Sequence, residues 1–75
     1  MEIFDMNEVL SPMPGRILRV LVNIGDTIGE ETVVMIHEAM KMENSIFAAC
    51  EGVVTNILVK EGDLVEHGQK LVVVE

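Results

Sequence analysis

The sequence predicts an all-β fold: two facing antiparallel sheets of four strands, related by an approximate two-fold axis. Three observations carry this. Apolar residues gather in short runs of strand composition and nowhere recur at helical spacing over three turns, so no helix is expected. Compact turns separate the runs, two of them built on Gly-Asp, at Gly25-Asp26 and Gly62-Asp63. The halves also repeat. Gly15 to Val22 aligns with Gly52 to Val59, and Ile28, Val34, Ile36 and Glu38 meet Val65, Leu71, Val73 and Glu75, all at an offset of 37 residues. Two copies are too few for a solenoid but suffice for two packed sheets.

Taken in order, Met1 to Asn7 has no clear period and either docks on the core or frays as termini do. Residues 1–7 are therefore set apart as an N-terminal segment and 8–75 as the domain. Glu8 to Leu10 reads as a short first strand. Ser11-Pro12-Met13-Pro14-Gly15 is a stiff turn, since two prolines fix φ and Gly15 restores freedom. Gly15 to Val22 is a strand, Asn23 to Asp26 a turn, Thr27-Ile28 a very short strand and Gly29 to Glu31 a turn. Thr32 to Glu38 and Met42 to Ala48 are strands flanking a tip. Cys50 to Gly52 turns into Gly52 to Val59. Glu61 to Asp63 turns into the short Leu64-Val65, and Glu66 to Gln69 into Leu71 to Glu75. The apolar positions Ile17, Val20 and Val22 break strict alternation where Val54, Ile57 and Val59 do. A shared break of phase predicts a bulge, or a strand changing sheets, in both halves.

Composition narrows the function. Seventy-five residues make one domain with a modest core, and 49% apolar content with only two Phe means a core of Val, Ile, Leu and Met. So small a body does not enclose a deep catalytic pocket, which argues against an autonomous enzyme. The formal net charge of −8 argues against nucleic acid and anionic membrane surfaces. No apolar run approaches a membrane span. Met1 to Glu8 carries three acids and no basic residue, unlike a signal or transit peptide. The reading is a soluble, cytoplasmic protein. Cys50 is alone and reads as a small buried hydrophobe, while His37 and His67 stand apart without ligand spacing, so no metal site is expected.

The stretch that carries chemistry is Glu38-Ala39-Met40-Lys41-Met42-Glu43, at the tip between two strands. Turn tips favour Asn, Gly or Asp because the favoured turns need positive φ. Met and Lys there accept strain, which collects at functional sites. Lys41, one of three lysines, is placed to be reached, and its ε-amine is a target for acylation. The plainer reading makes Lys41 a solvated turn residue and the two methionines core gap-fillers.

This stretch resembles the attachment motif of biotin carboxyl carrier proteins and biotinyl domains. Ser11 to Gly15 resembles the proline-rich turn that opens the same domain, and the likeness covers roughly residues 8–75. The resemblance implies a flattened barrel of two four-stranded sheets, biotin amide-linked to Lys41, and Glu38, Ala39, Met40 and Met42 as the recognised surroundings. A biotin protein ligase would modify the folded hairpin. The biotin would shuttle carboxyl groups between a biotin carboxylase site and a carboxyltransferase site of a carboxylase or decarboxylase, with the domain itself non-catalytic. Some members carry a protruding thumb in the first half. The uninterrupted repeat leaves no room for one, so the chain looks thumbless. The alternative is a lipoyl carrier of a 2-oxo acid dehydrogenase-type complex, whose lysine is typically preceded by Asp or Glu and followed by Ala. A third reading is a cofactor-free adaptor, indifferent to loss of Lys41.

Overall fold

The computed structural model describes residues 7–75. It holds eight strands among them: β1 (Asn7–Leu10), β2 (Gly15–Val20), β3 (Thr27–Ile28), β4 (Val33–Ala39), β5 (Met42–Phe47), β6 (Gly52–Ile57), β7 (Leu64–Val65) and β8 (Lys70–Val74). These pair antiparallel into two four-stranded sheets, ordered β1-β8-β6-β3 and β5-β4-β2-β7. Every strand expected from the sequence is present, with ends shifted by at most two residues. Asn7, assigned by sequence to the N-terminal segment, instead opens β1 opposite Val74. The remainder of that segment, residues 1–6, lies outside the described residues.

The offset of 37 carries one sheet onto the other. β2 falls on β6, β3 on β7, β4 on β8, and β1 on β5. Pairing repeats residue by residue: Ile17 opposite His37 corresponds to Val54 opposite Val74, and His37 opposite Asn44 to Val74 opposite Asn7. The expected phase break is a matched irregularity, between Ile17 and Arg19 in β2 and between Val54 and Asn56 in β6. One extra residue in the strand lets positions three apart, Ile17 with Val20 and Val54 with Ile57, pack on the same core.

That core is aliphatic. Ile17, Val34, Met35, Val54, Leu71, Val72 and Val74 are essentially inaccessible, and among the described residues no phenylalanine joins them. β4 spans seven residues, about 20 Å at the usual rise per strand residue. It carries the chain from the 29–32 turn to the β4–β5 hairpin. The hairpin tip therefore stands at one end of the body, and the two-fold equivalent of its base, Gly52 beside Glu75, at the other.

Candidate functional site

Ala39 and Met42 form the last pair of the β4–β5 ladder, so the loop is only Met40-Lys41. Their φ angles are 53° and 63°. Both central residues being left-handed makes this a type I′ turn, whose twist matches that of the strands it joins. Side chains bearing Cβ cost roughly 1–2 kcal/mol each in this region. The strain expected from the sequence is thus present, and the adjoining ladders hold it in place.

Lys41 is exposed, and its neighbours Met40 and Met42 are 87% and 65% accessible. The methionines do not fill the core. Ala39 is the buried member of the motif, at 5% exposure, and anchors the hairpin base inward. Glu38 lies one position back, on the opposite, outward face of β4. All five residues singled out from the sequence fall on one hairpin, with Lys41, Met40 and Met42 presented and Ala39 supporting them. Among the described residues the ion pair is Lys70 with Glu8, at 3.1 Å, and it does not involve Lys41.

The outward face continues across four strands. Glu43, Glu38, Arg16 and Leu64 sit opposite one another in turn on β5, β4, β2 and β7, and all are exposed. Facing carboxylates repel, and among the described residues neither Glu38 nor Arg16 is drawn into an ion pair. β2 and β4 run unusually close here. A Cβ on Gly15 would lie 2.5 Å from the Glu38 carbonyl oxygen, so only glycine fits. The buried hydroxyl of Ser11 donates to the Met13 carbonyl at 2.7 Å and sets the turn that delivers Pro14. Between the starts of β2 and β7 and the end of β4 lies a shallow groove of about 560 Å³, walled by Pro14, Arg16, Glu38, Met40, Leu64 and Glu66.

Sequence reasoning missed Arg16 and Leu64. A signal existed, because the repeat offset sets them against Val53 and Thr27, where the halves cease to agree. Cys50 is half-buried and packs at the edge of the core, short of the full burial expected. Burial raises its thiol pKa, and the Glu30 carboxylate raises it further. No His, Cys, Asp and Glu cluster suited to a metal ion occurs among the described residues. Nor is any helix there long and apolar enough to cross a membrane.

Comparisons with known proteins converge on this hairpin domain. The family profile described as "Biotin-requiring enzyme" matches residues 7–74. A biotin carboxyl carrier protein of Streptococcus mutans is 50% identical over 68 residues, covering 91% of this chain and 52% of that protein. The human mitochondrial propionyl-CoA carboxylase alpha chain is 42% identical over 72 residues, covering 95% of this chain and 10% of that one. The crystal structure of Kluyveromyces lactis urea carboxylase superposes with a TM-score of 0.89 at 33% identity, over all of this chain and 7% of that one. The chain spans about half or less of the length of these relatives.

Proposed function

The chain belongs to the biotin-requiring enzyme family, and from that premise we propose that it is a biotin carboxyl carrier loaded through an amide on the ε-amine of Lys41. One observation carries the reading: a single exposed lysine occupies a strained two-residue turn where Asn or Gly would be easier. The residues fit the group. The amine is open to an acylating enzyme, and two exposed thioethers flank it with soft, adaptable apolar surface. Bound there, biotin supplies a ureido nitrogen that takes up and gives back a carboxyl group.

The protein's part is mechanical. The tight turn leaves Lys41 little freedom of backbone, and the β4 and β5 ladders hold the turn away from the body. Acylation removes the lysine charge and takes the formal net charge from −8 to −9. Tethering raises the local concentration of the carried group to about the mM range at any site the hairpin can reach. The partners of this reading are a biotin protein ligase, a biotin carboxylase and a carboxyltransferase, and its compartment is the cytoplasm. Exposed methionines on both sides of the lysine favour biotin over the lipoyl alternative, which expects an acid before it and alanine after.

Co-expression with a biotin protein ligase tests the proposal. Intact mass should rise by one biotinyl group in the wild-type chain and not in Lys41→Arg, whose circular dichroism should match wild type. An unmodified wild type, or modification that survives in Lys41→Arg, overturns it.

A further inference from the structure

The internal two-fold supplies a control for the groove beside the tip. The sandwich is built twice, yet the equivalents of Arg16, Leu64 and Glu66 at the far end are Val53, Thr27 and Gly29. Packing of the fold therefore does not ask for an arginine, a leucine and a glutamate here. Leu64 stands on the two-residue β7 with 71% of its surface exposed, and Met40, 87% exposed, lines the same groove. Arg16 lies between Glu38 and Leu64, yet among the described residues its guanidinium makes no ion pair. Apolar walls, one guanidinium and two carboxylates suit a ligand with an apolar ring body and a urea edge, which offers one acceptor oxygen and two N–H donors.

We propose that this groove is the resting dock of the group tethered to Lys41, an inference that rests on the biotin reading above. Met40 both walls the groove and precedes Lys41, so the dock begins one residue from the anchor. Arg16 supplies donors for the urea oxygen, Glu38 and Glu66 supply acceptors for its N–H groups, and Leu64 with Met40 covers the ring. Strong binding is not required. At an effective concentration of about 1 mM, an intrinsic dissociation constant of about 1 mM keeps the dock half occupied. Such a dock shields the ring from water and lowers its apparent affinity for a partner site only about twofold.

Heteronuclear NMR of the chain before and after biotinylation tests this, with the extent of loading read independently from intact mass. The loaded wild type should show nuclear Overhauser contacts from the biotin ring to the Leu64 methyls, and shift changes at Arg16 and Glu66 besides those at Met40 to Met42. Leu64→Ser should load fully and lose these contacts and shifts. It should also be captured by streptavidin about twofold faster. In a fully loaded wild type, changes confined to the residues beside Lys41 overturn the dock and leave the carrier reading intact. If those contacts are absent and Leu64→Ser loads several-fold more slowly, the groove belongs to the ligase and the dock is overturned. A chain that gains no mass overturns the reading of Lys41, and the dock with it.

Discussion

His37 is where the two halves differ most in chemistry at a matched, fully buried position. Its equivalent, Val74, is content in the core, whereas both ring nitrogens of His37 lack a hydrogen-bond partner among the described residues. An unpaired buried polar group costs about 1–3 kcal/mol. The two-fold names the substitution: His37→Val should stabilise the protein by about 1 kcal/mol, since the smaller side chain gives back part of the gain as cavity. Urea unfolding would show this as a higher midpoint at unchanged slope. A lower midpoint would mean that the ring's volume outweighs its orphaned nitrogens. Burial of this residue was legible in the repeat, but its lack of partners was not, because partners belong to the packed core and not to the chain. Cys50 makes a second prediction at this scale. With its thiol pushed up by burial and by Glu30, the reactive thiolate is scarce at neutral pH. Alkylation followed by mass should be slower than for free cysteine at pH 7, should accelerate as pH climbs past the ordinary thiol range, and should be partly restored by Glu30→Gln.

Turns expose a contrast between strain that serves the tip and strain that serves nothing visible. Ala49 is left-handed, with φ 58°, while its offset equivalent, Pro12, is confined to negative φ by its ring. The two connections therefore diverge just where the repeat does, and no structural feature explains why Ala49 is not glycine. Releasing this strain gains roughly 1–2 kcal/mol, and the greater freedom of glycine in the unfolded chain offsets about 0.5–1 of it. Ala49→Gly and Met40→Gly should each stabilise the fold by about 0.5–1 kcal/mol in thermal melts. Only Met40→Gly should slow loading of Lys41 in a mass-resolved time course, because only it strips a thioether from the tip. Equal loading rates would show that the methionine before the lysine is not recognised. The hairpin was readable in advance because Met-Lys stood where Asn-Gly belongs. The groove was not, because Arg16 and Leu64 are distant in sequence and become neighbours only through the β2–β7 pairing.

At the scale of the whole molecule, the duplication announced two sheets but concealed how they interlock. Each half sends its short strand to the other: β3 pairs with β6, and β7 with β2. A two-residue strand has one inward side chain, Ile28 or Val65, and so no period from which a partner can be read. β1 likewise lies on β8, and β5 on β4. In both sheets the central pair therefore comes from one half and both edges from the other. A chain fragment ending after Ala39 would keep the β2–β4 pair and lose every partner of β1 and β3. A fragment starting at Met42 would keep β6–β8 and strand β5 and β7. Neither fragment should fold alone, and each should give a collapsed amide spectrum and little β-sheet dichroism. The intact chain should instead unfold in one two-state urea transition, with the amides flanking Lys41 losing protection together with those of the core. A fragment with native shift dispersion, or a hairpin that melts ahead of the core, would break this account. The lysine tip bridges β4 of one half and β5 of the other, so the amine should keep its aim for as long as the two halves stay locked together.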